Sequence, residues 1–85
     1  MKLSILYFAA LREAVGRARE ECDVPVGVTS VDTLREWLIA RGAPWSEAFG
    51  SMPRVRAAVD QAMARPETLL HDGAEVAFFP PVTGG

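Results

Sequence analysis

The segment at residues 2–9 is apolar on both faces of a predicted β-strand. Ile5 and Tyr7 alternate with Leu6 and Phe8, so two sets of large side chains would point in opposite directions. A strand that is apolar on both sides belongs in the interior of a sheet, where neighbouring elements cover it. We therefore expect the sheet to be built around this N-terminal strand.

Further periodic segments follow along the chain. The predicted elements after the first strand are a short helix over 10–15, an edge strand over 17–24, the main helix over 31–41 with Ser30 as N-cap, a helical turn over 44–49, and strands over 55–59 and 76–79. Residues 61–66 read as loop or short strand, and Leu69 and Leu70 are expected to close the core. Parallel pairing of the first and last strands would place the main helix on one face of a mixed sheet, an α+β roll.

Length and charge exclude several classes of protein. The 85 residues suffice for one domain, and a net charge of −2 with both signs scattered argues against nucleic-acid binding. The sequence has no long apolar run and leads from Met1 directly into a strand, without a signal peptide. We therefore expect a cytoplasmic protein that does not bind membranes.

Candidate reactive side chains inside the domain are few. His71 is the only histidine, and its acidic neighbour Asp72 is adjacent in sequence, which favours a surface turn over a general base. Cys22 is the only cysteine, so an intramolecular disulfide and a cysteine metal cluster are excluded. The acidic residues beside Cys22 are expected to raise its pKa, which favours a small packed side chain over a nucleophile. No spacing of metal ligands or phosphate-binding loop occurs, so any chemistry is expected at the C-terminus.

The last ten residues combine a strand, two prolines and two glycines. Residues 76–79 are β-formers that would anchor the segment, and Pro80 and Pro81 would end strand pairing and keep the chain extended. Gly84 and Gly85 have no Cβ, so this tip could enter a narrow channel. Six residues beyond the strand reach at most roughly 20 Å. The pattern predicts a stiff arm with a slim tip.

The one reactive group of such an arm is the carboxylate of Gly85. A carboxylate is a poor electrophile until another enzyme activates it, for example as an acyl-adenylate, after which it can accept sulfur or an amine. A glycine at the acyl position leaves room for the attacking group. The alternative is a binding module with an inert tail.

Phe78 and Phe79 would point to opposite faces of the last strand. One aromatic ring should fill the core beneath the main helix, and the other should face outward as a docking residue. We assign Phe79 to docking.

The run Glu75 to Gly85, EVAFFPPVTGG, closely resembles the C-terminus of the small subunits of molybdopterin synthase. These proteins are sulfur carriers with the ubiquitin-like β-grasp fold. The resemblance spans the chain and includes Leu6 to Ala9, Leu11 to Gly16, Ala57 to Gln61 and Leu70 to Val76. It implies a β-grasp domain at residues 1–79 and an extended tail at residues 80–85.

The resemblance also implies a reaction cycle. A ubiquitin-activating-like adenylyltransferase would use ATP to adenylate Gly85, and a sulfur donor protein would convert the adenylate to a thiocarboxylate. The sulfur would then pass to a pyranopterin precursor in the large catalytic subunit. This chain would bind no cofactor and would have no catalytic activity alone. Its Gly84 would give clearance, the channel would be lined by Pro80, Pro81, Val82 and Thr83, and Arg12 is a candidate partner contact.

Two alternatives keep the activated tail and change the acceptor to thiamine or another cofactor, or to protein lysines. The sequence also departs from the family in two places: Asp60 stands where asparagine is common, and residues 62–68 match little of the family pattern.

Overall fold

The computed structural model describes residues 1–52 and 54–81. In chain order the elements are β1 (Lys2–Tyr7), α1 (Ala9–Val15), β2 (Arg19–Asp23), α2 (Val31–Ala40), α3 (Trp45–Ser51), β3 (Arg56–Val59), β4 (Ala62–Ala64) and β5 (Glu75–Phe79). The predictions for Val82, Thr83, Gly84 and Gly85 concern positions outside the described residues.

The strands form one mixed sheet in the order β2-β1-β5-β3-β4. The first and last strands, β1 and β5, pair in parallel, with Ile5 opposite Val76, and the other neighbours are antiparallel. The interior position of β1, the edge position of β2 and the α+β class are thus confirmed. Residues 61–66, for which the sequence allowed either a loop or a short strand, contain the strand β4. It pairs with β3 after a turn at Asp60 and Gln61, which both have positive φ.

The core lies between one face of the sheet and the three helices. Inward-facing Ile5, Val76 and Phe78 pack in one buried cluster with helix residues such as Leu34 and Phe49. The rings of Phe49 and Phe78 meet edge to face, with centroids 5.4 Å apart. Full burial of each such side chain stabilises the fold by about 1.5–3 kcal/mol, so these contacts hold α2 and α3 against the sheet.

The start of α2 confirms Ser30 as its N-cap. The Ser30 hydroxyl accepts a hydrogen bond from the Thr33 backbone N–H at 3.2 Å, and the Thr33 hydroxyl accepts one from the Ser30 N–H at 2.9 Å. This reciprocal pair satisfies two backbone donors that would otherwise lack partners at the helix end. The helix ends before Gly42, whose φ of 88° suits a residue without a side chain.

The Glu20 carboxylate on β2 binds side chains from β1, from α3 and from the C-cap of α2. Sequence analysis did not predict these contacts. The carboxylate accepts hydrogen bonds from the Tyr7 hydroxyl at 2.7 Å, the Trp45 indole N–H at 3.1 Å and Arg41 at 3.0 Å. Burial by itself raises the pKa of Glu20, but the bonds from Tyr7 and Arg41 outweigh it and lower that pKa overall. The side chain is only 9% exposed, so the ionised carboxylate is a largely shielded acceptor shared by these three donors.

The expectation that Leu69 closes the core is wrong. Leu69 is 74% exposed, whereas Leu70 is half-buried and packs against the core. The backbone of Leu69 forms an isolated bridge with Ser30, and Leu70 N–H donates to the Thr29 carbonyl. This extended backbone sends adjacent side chains to opposite sides, so only one of the two leucines reaches the core.

Candidate functional site

The predicted tail leaves the sheet after β5. Before that point β5 is bonded on both sides: the Phe8 N–H donates to the Phe78 carbonyl at 3.1 Å, and Phe79 pairs with Arg56 of β3. Pro80 follows directly and has no N–H to extend either ladder. The base of the tail is therefore held by two neighbouring strands up to Phe79, and Phe79, Pro80 and Pro81 are each half-buried.

The two aromatic residues at the end of β5 face opposite sides of the sheet. Phe78 is 1% exposed and belongs to the core, as expected for one member of the pair. Phe79 points to the other face, and its half-buried state leaves part of the ring accessible. Its docking role remains a prediction.

The face of the sheet opposite the helices carries apolar side chains near the tail. Register places Leu6 beside Ala77, Ala77 beside Ala58, and Ala58 beside Met63. Phe8 has an extended backbone and follows inward-facing Tyr7, so its side chain points outward near Phe79. We call this set the outer apolar patch: Leu6, Phe8, Ala58, Met63, Ala77 and Phe79. Its exposed members include Phe8 at 45% and Met63 at 62%, which is typical of a binding surface when such residues are contiguous.

Comparison with known proteins identifies the family. The model of the ThiS family matches residues 5–85 of this sequence. The chain is 39% identical over 83 residues to the molybdopterin synthase sulfur carrier subunit of Escherichia coli strain K12, covering 98% of this chain and 99% of the relative. This chain belongs to the ThiS family. It is also 41% identical over 86 residues to the molybdopterin synthase sulfur carrier subunit of Mycobacterium tuberculosis strain H37Rv, covering 100% and 99% of the two chains.

A solved structure has the same fold as this ThiS-family chain. The chain superposes with a TM-score of 0.67 on a protein in the complex of subunits 1 and 2 of molybdopterin-converting factor from Helicobacter pylori 26695, at 20% identity and 100% coverage of both chains. At this identity the likeness concerns the fold alone. With the sheet order described above, it confirms the β-grasp fold expected from the resemblance. In residues 1–52 and 54–81, no helix is long and apolar enough to cross a membrane.

Arg12 lies on α1, which begins immediately after Phe8. Its side chain is exposed, and among the described residues it forms no ion pair. Because α1 starts where β1 ends, Arg12 lies at the same end of the sheet as the tail. In this ThiS-family chain the start of α1, Phe8 and Phe79 thus lie at the end of the sheet where the tail departs, and a role for Arg12 in partner contact stays a prediction.

His71 contacts Asp60, a partner that sequence analysis did not identify. Its Nε2 lies 2.7 Å from Asp60 Oδ2, and the other carboxylate oxygen of Asp60 accepts the Glu75 N–H at 3.0 Å. The hydrogen bond to Asp60 raises the pKa of His71, and the bond from the Glu75 backbone lowers the pKa of Asp60. This pair sits where β5 begins, at the opposite end from the tail. We therefore assign it to holding the β3–β4 turn against β5.

Cys22 is buried on the inner face of β2 beside Glu20. Its thiol lies 3.4 Å from Glu20 Oε1, and burial, followed by the Glu20 charge, raises its pKa to about 11. The expected rise in pKa is confirmed, although Glu20 and burial cause it, while Glu21 and Asp23 face outward. A thiol with so little thiolate at neutral pH fits a packing role.

Proposed function

We propose that this chain is a sulfur carrier subunit of molybdopterin synthase and that Gly85 carries the sulfur. The observation that carries the proposal is the full-length similarity to molybdopterin synthase sulfur carrier subunits from two bacteria, in a sequence that ends in two glycines. The proposal assigns the reacting atom to the tail and the binding surface to the sheet.

The chemistry starts with the Gly85 carboxylate. One of its oxygens attacks the α-phosphate of ATP on an adenylyltransferase, and pyrophosphate leaves. Hydrosulfide released by a donor protein then attacks the acyl carbon, AMP leaves with the bonding pair, and loss of a proton gives the Gly85 thiocarboxylate. In the large subunit the thiocarboxylate sulfur bonds to a carbon of a pyranopterin precursor and displaces an oxygen leaving group. Water then cleaves the acyl–sulfur bond, which leaves the sulfur on the precursor and restores the carboxylate.

The domain supports this chemistry by anchoring the base of the tail. Hydrogen bonds from β1 and β3 hold β5 on both sides up to Phe79. Pro80 and Pro81 restrict the backbone that follows, which lowers the entropy lost when a channel receives the tail. We assign the channel contacts to Pro80, Pro81, Val82 and Thr83, and clearance at the reacting carbon to Gly84.

The outer apolar patch is the surface that we assign to partner binding. The Helicobacter pylori structure with the same fold is a complex of subunits 1 and 2 of molybdopterin-converting factor. A large subunit that covered Phe8, Met63 and Phe79 would bury apolar area and receive the tail from the same side. Aromatic residues at the centre of an interface commonly contribute most of its affinity.

Intact mass spectrometry tests the proposed chemistry. The chain is incubated with ATP, an adenylyltransferase for this family and a sulfur donor, and replacement of one carboxylate oxygen by sulfur adds about 16 Da. We expect this gain in the full chain and its absence in a chain that lacks Gly85 or has an alanine appended after it. The absence of a gain, with an adenylyltransferase that modifies another carrier in parallel, would overturn the proposal.

A second assay tests the acceptor. The modified carrier is mixed with the large synthase subunit and the pyranopterin precursor, and the mass of the carrier is followed. We expect the added mass to disappear only when both are present. Retention of the sulfur in that mixture, with a carrier from Escherichia coli discharging as a control, would point to a different acceptor.

A further inference from the structure

Four charged residues on the outer face of the sheet, Arg19, Glu21, Arg56 and Glu75, are separated by sign along the strands. Arg19 lies opposite Leu6, and Arg56 lies opposite Phe79, so both arginines flank the outer apolar patch near the tail. Glu21 and Glu75 both lie beside Ser4, at the other end of the same face. Lys2 and Asp23 lie opposite each other at that same end, so their charges offset one another. The outer face is therefore basic where the tail departs and, through Glu21 and Glu75, acidic where β5 begins.

The spacing of these charges follows from strand geometry. Arg19 and Glu21 are two residues apart on β2, about 7 Å along the strand, and Phe79 and Glu75 are four residues apart on β5, about 13 Å. The oppositely charged ends are thus separated by roughly one Debye length at physiological salt. A partner of protein size would experience them as two distinct regions.

These four charges are not neutralised by ion pairs within the part of the chain that the structure describes. Ion pairs there join Glu20 to Arg17 and Arg41, and Arg65 to Glu67. The N-terminus pairs with Asp23, and His71 pairs with Asp60. Arg19, Arg56, Glu21 and Glu75 therefore have no ionic partner among the described residues and could pair with charges of a binding partner.

Burial of an apolar patch does not by itself define an orientation. The hydrophobic effect is non-directional, so a partner could cover the patch in more than one rotation about its normal. Only some of these rotations direct the tail toward the partner's reaction centre. Charge complementarity fixes register and raises the rate of correct encounters.

We propose that this charge separation selects the rotation in which a partner protein docks on the outer apolar patch. The complementary surface has carboxylates opposite Arg19 and Arg56, and basic side chains opposite Glu21 and Glu75. This inference rests on the proposed function, which identifies the partner as the large synthase subunit that receives the tail. It adds the charge pattern of that partner's surface and the orientation that this pattern enforces.

The test inverts the pattern while keeping the net charge. In the variant R19E/E21R/R56E/E75R, the same numbers of acids and arginines exchange ends, so any effect of total charge is removed. The matched control is R65E/E67R, which exchanges an exposed ion pair outside this set. Circular dichroism and thermal unfolding confirm that each variant is folded, and the two-residue variants R19E/E21R and R56E/E75R substitute if the fourfold change unfolds the chain.

Association with the large synthase subunit is measured by stopped flow at about 20 mM and about 500 mM salt, where screening differs strongly. We expect the inverted variants to associate about tenfold more slowly at low salt, with the difference closing at high salt. The R65E/E67R control should match the unaltered chain. Equal association rates for the inverted variants and the unaltered chain at low salt would overturn the inference.

The outcome is separable from that of the proposed function. Formation of the Gly85 thiocarboxylate needs no docking on the large subunit, and both its formation and its discharge are measured by mass in the unaltered chain, whose charge pattern is intact. If association is insensitive to inversion while the sulfur cycle proceeds, only the charge inference fails. If the mass gain at Gly85 never forms, the proposed function fails.

Discussion

The Tyr7 hydroxyl lies 2.7 Å from Glu20 Oε2, and the same carboxylate oxygen accepts the Trp45 indole N–H. Replacement of Glu20 by alanine leaves the Tyr7 hydroxyl and the Arg41 guanidinium without this acceptor, while the Trp45 N–H keeps the Tyr7 oxygen at 3.2 Å. Because donors left unpaired in a buried site cost about 1–3 kcal/mol each, partly relieved here by solvent at the edge, we expect E20A to lower the free energy of unfolding by about 2–3 kcal/mol. Urea unfolding measures this change.

The matched control for E20A is E21A, on the adjacent residue of the same edge strand. Glu21 is exposed on the outer face, so its removal should change the free energy of unfolding by less than about 0.5 kcal/mol. Similar small losses for both variants would show that the Glu20 contacts add nothing to stability.

The His71–Asp60 pair predicts a pH-dependent contribution to stability. The pKa of His71 is raised in the fold, so its contribution is complete below its ordinary value near 6.5 and is lost as pH rises through the folded pKa. The pKa of Asp60 is lowered, so its contribution is present above its ordinary value near 3.8 and is lost as pH falls through the folded pKa. The pair should therefore stabilise the fold most between these two values.

We expect H71Q to lower the urea midpoint of unfolding at about pH 5 and to have little effect at about pH 9, where His71 is neutral in both states. The glutamine keeps a polar side chain of similar reach and cannot ionise. A midpoint difference that is the same at both pH values would rule out a charged pair as the cause.

Alanine substitutions at Phe78 and Phe79 should have different effects on folding stability and on partner binding. F78A removes a ring that is buried in the core, so we expect a loss of about 3–5 kcal/mol in the free energy of unfolding. F79A should lower the free energy of unfolding by less, because only part of the Phe79 ring is buried. It should weaken binding to the large synthase subunit at least tenfold. Urea unfolding and isothermal titration calorimetry measure the two effects.

The control for F79A is L69A, which removes an exposed apolar side chain outside the outer apolar patch. We expect L69A to bind the large subunit as tightly as the unaltered chain. If F79A did so as well, the assignment of Phe79 to docking would be wrong.

Cys22 should react slowly in the folded protein. Its pKa of about 11, against an ordinary value of 9.0, reduces the thiolate fraction at neutral pH by about 100-fold. We expect iodoacetamide to alkylate Cys22 at least 100-fold more slowly in the folded chain than in urea, as followed by mass. An equal rate in both states would contradict the buried position of the thiol beside Glu20.

Local patterns predicted much of the architecture. The pattern at residues 2–9 indicated an interior strand, residues 76–79 indicated a second strand, and the serine at position 30 indicated the start of α2. Strand faces and helix caps depend on residues a few positions apart. The tail motif and its proposed chemistry are likewise contained in a short run. For that reason Gly85, Pro80 and Phe79 could be selected before any fold was known.

Other features depended on contacts between distant residues. The carboxylate of Glu20 meets Trp45, and His71 meets Asp60, only because the sheet and helices bring those segments together. The expectation for Leu69 is wrong for the same reason, whereas that for Leu70 is confirmed, since the bridge to Ser30 decides which side chain turns inward.

The sequence by itself determined the strand faces, the helix caps, the family and the residue proposed to react, because each is written in neighbouring residues. Only the tertiary structure decided the order of strands in the sheet, the burial of Glu20 and the separation of charge across the outer face. The physical reason is that strand register aligns residues far apart in the chain, such as Ser4 with Glu75, and burial and charge patterns exist only after that alignment.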